Sequence, residues 1–144
     1  LRDYENHMMQ NYGSGVQACY RGPRLYDSEE TKQTVIKVID WYKKYRDILN
    51  SDIIHLRRPS GKDWDGILHA NPNLDTKGLA MFYNPTDTDM IREIKLPLYY
   101  TGLETEAKIS IIEQSTNTYK LNRDYSINLN ISIPAKSYTW ITIK

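Results

Sequence analysis

Residues 125–133 alternate without a break: Tyr125, Ile127, Leu129, Ile131 and Ile133 are apolar, and Ser126, Asn128, Asn130 and Ser132 between them are polar. Successive side chains of an extended chain point to opposite faces, so this run is a strand with one buried and one wet face. Half-wet strands of this kind belong to antiparallel sheets, and the buried face needs a second apolar layer. The carboxy-terminal two thirds of the chain therefore has to supply several more strands.

It does so in short runs separated by turn residues. Ile53, Ile54 and Leu56 begin a first strand, which Arg57-Arg58-Pro59-Ser60-Gly61 stops. Residues 64–70 and 78–83 make the second and third, parted by Asn71-Pro72-Asn73, and Asn84-Pro85-Thr86-Asp87 is the next turn. A fourth runs over 90–96, where Pro97 marks an edge or bulge before Leu98, Tyr99 and Tyr100. The fifth covers 107–112, and a short one at 119–121 is expected to pair with its neighbour across the Asn122-Arg123 turn. Pro134-Ala135-Lys136 turns the chain into a final strand at 138–143. Seven or eight short antiparallel strands with no helices between them predict a β-sandwich.

Ahead of the strands the period is helical. Val35, Val38, Ile39, Tyr42, Tyr45 and Leu49 recur every three or four residues, while Lys37, Lys43, Lys44 and Arg46 fall mostly elsewhere. Asp27 and Glu30 have the spacing of a capping box, so the helix is expected to start there and end near Asn50. At 1.5 Å per residue it is a rod of about 30 Å whose apolar stripe requires a partner. Residues 13–27 hold three glycines and a proline around a short apolar stretch, 16–20, that suits one strand within loop. The opening residues 1–12 are polar without a clean period, and no element is assigned to them. The fold class expected is mainly β, an N-terminal helix followed by the sandwich.

Composition removes several function classes. With 144 residues and 40% hydrophobic content the chain can bury a real core. Nineteen basic residues against eighteen acidic ones are scattered, which speaks against nucleic acid as a partner. No apolar run is long enough for a membrane span, and no secretory leader pattern opens the chain. Because it begins at Leu1, the chain is read as a piece of something longer. Cys19 is the single cysteine and forms no internal disulfide.

Motifs that could carry chemistry are sparse. Gly13, Gly15 and Ala18 have dinucleotide-fingerprint spacing, but Pro23 follows too closely for the helix that such a site needs. Cys19 with His7, His55 or His69 has no local order suggesting a nucleophile and base, and the histidines lack zinc-site spacing. No metal or cofactor is expected. Asp63 with Asp65, and Asp87 with Asp89, are the carboxylate pairs that glycosidase chemistry would require, yet each lies where solvated aspartate is ordinary. Asn130-Ile131-Ser132 is a formal glycosylation acceptor inside the best strand. Twelve tyrosines and three tryptophans against one phenylalanine favour wet aromatic contacts. Trp64, Tyr99 and Tyr100, the aromatics least clearly facing inward, are candidates for a carbohydrate-binding patch, set against core or interdomain packing.

The run 41–101, including WYKKYRDILNSDIIHLRRPSGKDWDGILHANPNLDTKGLAMFYNPT and LPLYYTGL, resembles the carboxy-terminal part of Bacteroidetes glycoside hydrolases of the α-galactosidase (melibiase) type. The resemblance implies that residues 1–50 are the end of a (β/α)8 barrel, with 16–20 as last strand, 21–27 as loop and 28–50 as last helix. Residues 51–144 would be the C-terminal antiparallel β-sandwich. It implies further that the catalytic aspartates lie on earlier strands outside this sequence, so no catalytic residue carries over. Tyr20, Arg21 and Arg24, in the strand-to-helix loop, become candidate substrate contacts, since barrel sites are built from such loops and an arginine fork suits hydroxyls or a carboxylate. Trp64 joins them as a possible stacking residue. A salt bridge or helix-entry contact is the plainer role for the arginines.

The function expected is a non-catalytic segment of a glycoside hydrolase that stabilises the upstream barrel and contacts an oligo- or polysaccharide. The alternatives are a free-standing carbohydrate-binding module and an assembly domain that forms homodimers through the helix stripe. The resemblance alone suggests the periplasm or cell surface.

Overall fold

The computed structural model of the chain describes residues 2–15 and 28–144. Two helices come first, α1 (Arg2–Gly13) and α2 (Glu29–Leu49). Eight strands follow: β1 (Asp52–Arg57), β2 (Asp65–Ala70), β3 (Gly78–Asn84), β4 (Met90–Pro97), β5 (Glu106–Ile111), β6 (Ser115–Lys120), β7 (Ser126–Ile133) and β8 (Ser137–Ile143). They form a six-stranded sheet ordered β1-β2-β3-β8-β5-β6 and a two-stranded sheet β4-β7, all pairs antiparallel. The mainly β architecture read from the sequence is present, with a second helix added.

From Ile127 on, strand β7 keeps the alternation of its sequence, with Ile127, Leu129, Ile131 and Ile133 buried and Asn128, Asn130 and Ser132 exposed. At its start the pattern is corrected, because Tyr125 precedes the strand and is exposed while Ser126 is buried. Its apolar face, with Met90, Ile94 and Leu96 of β4, closes over the six-stranded sheet. There it meets Leu68, Ala80, Phe82, Ile109, Ile141 and Ile143. Strand β3 behaves differently, for every residue of it is buried. Paired with β8, it presents Ala80–Ile141 to the sandwich interior and Leu79–Thr142 and Met81–Trp140 to the opposite face.

That opposite face is covered by the helices. Val35, Val38, Tyr45, Ile48 and Leu49 of α2, with Met8 and Met9 of α1, form a second core with Leu79, Met81, Tyr83 and Trp140. The stripe expected to require a partner thus finds it within its own chain, which removes the reason for a homodimer through that stripe. The molecule has three layers, with the helix pair, the six-stranded sheet and the two-stranded sheet in that order.

Several local readings change. Helix α1 lies where no element is assigned from sequence. Among its described side chains Met8 and Met9 are buried and Tyr12 packs on Tyr42 of α2 with ring centroids 4.8 Å apart, and these are too few to make a visible period. The α2 cap is Ser28, whose hydroxyl accepts from the Thr31 amide at 3.1 Å, so the capping-box reading of Asp27 with Glu30 is corrected. Asp27 itself lies outside the described residues, as does the expected strand over 16–20. Leu98, Tyr99 and Tyr100 do not extend β4: Tyr99–Thr101 is a 3-10 turn. The strand at 115–120 pairs with β5 through a tight turn rather than across Asn122-Arg123.

The crossing from one sheet to the other hangs on one side chain. Asn84, 2% exposed, donates from Nδ2 to the Thr88 carbonyl (2.8 Å) and the Ile133 carbonyl (3.0 Å). Its Oδ1 accepts from the Thr86 amide (2.9 Å) and hydroxyl (2.7 Å). Every polar atom of the amide is satisfied, and removing it orphans two donors and two carbonyls next to a dry core. Asn84→Ala is expected to lower the unfolding free energy by about 2–4 kcal/mol, measured by urea denaturation.

Candidate functional site

Polar side chains collect along the seam between the helix pair and the β3–β8 face. One cavity of about 620 Å³ opens between α1 and the ends of β3 and β8, lined among others by His7, Gln10, Asp65, Tyr83, Lys136 and Tyr138. A second, of about 420 Å³, lies beside it between α2 and β8, with Trp41, Trp140, Glu5, Lys37 and Glu113 in its wall. Trp41 and Trp140 meet edge to face at 5.5 Å, and Tyr45 meets Trp140 at 5.2 Å. The floor is therefore aromatic and the rim charged.

Two carboxylates on this rim are built alike. Glu5 accepts from Lys37 of α2 and from the Tyr138 hydroxyl of β8, both at 2.9 Å. Burial works to raise its pKa, but those two donors hold it below the ordinary carboxylate value. Glu113 accepts from Lys44 and Tyr45, which hold its carboxyl low, while burial and Glu113 push the Tyr45 phenol up. Each carboxylate ties a helix to the sheet layer through a lysine and a phenol. Glu113 reaches α2 because the turn between β5 and β6 places Ile112 (φ 50°) and Glu113 (φ 59°) in the left-handed region, where Asn-Gly is the usual pair. Nothing in the sequence marks these residues, since Glu5 sits in the unperiodic opening and Glu113 in a turn.

The chemistry of the seam follows. Acid–base cleavage of a glycoside needs one protonated and one ionised carboxyl across a substrate. Glu5 and Glu113 are both held ionised, and Asp65, whose pKa burial raises, is the described carboxyl pushed toward its acid form. Among the described residues no three His, Cys, Asp or Glu side chains gather in metal-binding geometry. The arrangement is that of a joint between layers.

The residues singled out from sequence are dispersed. Tyr20, Arg21, Arg24 and Cys19 lie outside the described residues. Trp64, expected to face outward, is 9% exposed and packs on Phe82 at 5.9 Å, with the Arg57 guanidinium 5.5 Å above its ring. Gly66 makes the room, because a Cβ there would come within 3.3 Å of the Trp64 ring and 2.7 Å of the Met81 carbonyl oxygen. Its ring faces are thus taken by the core and by Arg57. Tyr99 and Tyr100 are exposed. Asp63 binds the Trp64 amide and pairs with Arg57 and Arg92, and Asp89 accepts from the Ala135 amide.

The sequence matches no protein-family model and no curated relative. Solved structures do match. A provisionally named α-N-acetylgalactosaminidase from Bacillus halodurans superposes with a TM-score of 0.65 at 10% identity, over 100% of this chain and 32% of that one. An α-amylase from Geobacillus thermoleovorans in complex with acarbose gives 0.55 at 8% identity, over 84% of this chain and 24% of that one. Both names are those of glycoside hydrolases, and this chain spans about a third or less of either. At such identities the likeness is one of fold.

His69 joins the seam from beneath. It is fully buried on β2, and its Nε2 donates to the Gly13 carbonyl oxygen at 2.6 Å, fastening the end of α1 to the sheet. Burial lowers its pKa below the ordinary 6.5, against the opposing pull of the Gly13 and Ser51 backbone. The unfolded chain therefore takes up this proton first as pH falls. Stability from neutral His69 is complete above the ordinary value and is lost as pH drops through it toward the lower folded-state pKa. Thermal melts between about pH 7.5 and 5 are expected to show the wild type losing stability more steeply than His69→Gln, with equal slopes refuting the assignment.

Proposed function

We propose that the chain is the non-catalytic carboxy-terminal part of a glycoside hydrolase of the α-galactosidase type. In this reading residues 1–50 close a (β/α)8 barrel and residues 51–144 are the sandwich that braces it. The observation that carries the reading is the helix-covered face of the six-stranded sheet. Met81 is as deeply embedded under α1 and α2 as Phe82 is within the sandwich, and Trp140 beside it is buried too. A continuous apolar interface of this size couples helices and sheet into one folding unit. Helices that belong to a barrel would thereby be locked to the sandwich behind them, and match over the whole chain to a third of a glycosidase-named structure supports that placement.

The remaining parts take their places accordingly. Tyr20, Arg21 and Arg24 would stand in the last strand-to-helix loop of the barrel, on the face where such enzymes bind substrate. The acid and nucleophile would come from earlier barrel strands, and Glu5 and Glu113 serve as bolts between helix layer and sheet. The periplasm or cell surface is the setting proposed, by the same resemblance.

The test is turnover. Purified residues 1–144 are expected to fold cooperatively and to release no nitrophenol from nitrophenyl α-galactoside or α-N-acetylgalactosaminide above the uncatalysed rate. Hydrolysis that copurifies with the folded chain and falls at least tenfold in Asp65→Asn would overturn the proposal.

A further inference from the structure

Three tyrosine rings stand together at one end of the two-stranded layer. Tyr99 is 64% exposed, Tyr100 62% and Tyr125 38%. Tyr99 meets Tyr100 at 5.2 Å with planes at 89°, and Tyr125 at 5.8 Å with planes at 66°. The rings form a corner in which Tyr100 stands perpendicular to Tyr99 and Tyr125 is inclined to it, with all three side chains in part open to solvent. Burial gains little from Tyr99 and Tyr100 at this exposure, so the core does not account for those two.

The support beneath them is rigid. Leu98 and Thr101, which flank the two exposed tyrosines, are fully buried. The Leu98 amide donates to the Tyr125 carbonyl at 2.9 Å, and the Thr101 hydroxyl donates to the Leu98 carbonyl at 2.6 Å. Gly102, at φ 78°, closes the turn by donating to the Tyr99 carbonyl, and any Cβ on it would strike Pro72 at 2.8 Å. The turn thus holds Tyr99 and Tyr100 in place before any ligand arrives, which lowers the entropy cost of binding.

Tyr125 supplies a second and independent observation. It sits at φ 61°, a conformation that glycine or asparagine accepts and that a bulky aromatic adopts at a cost. The other non-glycine residues in that region have visible employment. Ile112 and Glu113 deliver a carboxylate to Tyr45 and Lys44, and Lys136 binds Thr86, Asp87 and Asn6 through backbone and side chain. For Tyr125 the backbone contacts to Leu98 and Asn122 would survive in asparagine, and what the tyrosine adds is a ring against Tyr99. Strain kept for an exposed ring points to a ligand.

The residue before Tyr125 in the chain is charged. Asp124 is held ionised with a pKa of about 2 by Lys95 at 2.7 Å and by Ser126. Aromatic faces for C–H surfaces beside a carboxylate and an ammonium for hydroxyls are what a pyranose offers partners to.

We propose that Tyr99, Tyr100 and Tyr125 form a binding site for a neutral pyranose oligosaccharide. The site belongs to the layer farthest from α1 and α2, so a barrel joined at the helices leaves it open. The choice of sugar as ligand rests on the glycoside hydrolase reading above, while the presence of a site rests on the three rings alone.

Calorimetry and amide-resolved NMR with stachyose and maltoheptaose on the 144-residue chain test it. At least one of the two is expected to bind saturably, with a dissociation constant on the order of 0.1–1 mM and shifts confined to residues 98–102 and 122–126. Tyr100→Ala is expected to weaken binding at least tenfold. Tyr125→Asn is expected to weaken it as much while keeping or raising the melting temperature, because asparagine tolerates the left-handed backbone. Loss of affinity with gain of stability separates a ligand contact from a structural residue. Absence of saturable shifts with either sugar, shifts elsewhere, or unchanged affinity in Tyr125→Asn would each overturn the proposal. So would sedimentation showing self-association that Tyr100→Ala abolishes. None of these outcomes bears on turnover, so the brace reading stands or falls separately.

Discussion

A strand with no wet face organises this molecule. In β3 the side chains of Leu79, Met81 and Tyr83 leave one side of the sheet and those of Ala80 and Phe82 the other, and all five are buried. A sheet apolar on both sides needs a cover on each, whereas an antiparallel sandwich with one wet face needs only its partner sheet. The β4–β7 pair covers one side and the helix pair covers the other. Each buried side chain of this size contributes on the order of 1.5–3 kcal/mol, an upper estimate given residual burial in the unfolded chain. Neither cover can be removed without exposing a row of them.

The polar groups at the joint are consistent with that demand. Apolar contact between helices and sheet is non-directional, so it leaves the helices free to slide. Directional bonds remove that freedom. Lys37–Glu5–Tyr138 and Lys44–Glu113–Tyr45 link α2 to the sheet layer at two places, and the bonds from His69 to the Gly13 carbonyl and from Tyr83 to the Met9 carbonyl position α1. Gly13 permits this approach, because a Cβ on it would lie 2.6 Å from the Tyr83 hydroxyl. Two layers held in one fixed relation need such pins. A mobile linker would not.

Backbone strain separates two uses of the surface. The Ile112-Glu113 turn is strained to bring a carboxylate onto a helix, and the gain is internal to the fold. Tyr125 is strained with its ring more than a third exposed, and the fold itself gains from it one ring contact, with Tyr99. Strain of the second kind is a pointer to binding where burial and electrostatics are silent.

How much of this could be read from the residues depends on the range over which each feature is decided. The alternation of β7, the stripe of α2 and the turn residues between strands express the local periodicity of the backbone, so seven strands and the long helix were legible near their bounds, while β6 was read only as a short run at 119–121. Helix α1 was not legible, because its sequence shows no clean apolar period and its packing rests on Met8 and Met9 under the sheet. The cap at Ser28 differs from the capping box by one residue, the ordinary slack of a local signal at a helix end. The fate of Trp64 was decided by register: pairing Gly66 with Phe82 puts a side-chain void beside the one phenylalanine, and the indole fills it. The seam carboxylates were invisible for the same reason, since Glu5 and Tyr138 are 133 residues apart in sequence and 2.9 Å apart in space. The sequence by itself determined which segments are strands and which is the long amphipathic helix, because side-chain direction follows from backbone geometry residue by residue. Only the tertiary structure decided that the helix covers its own sheet, that Trp64 is core and that Tyr125 joins Tyr99 and Tyr100 at the surface, because those outcomes depend on pairing between distant segments.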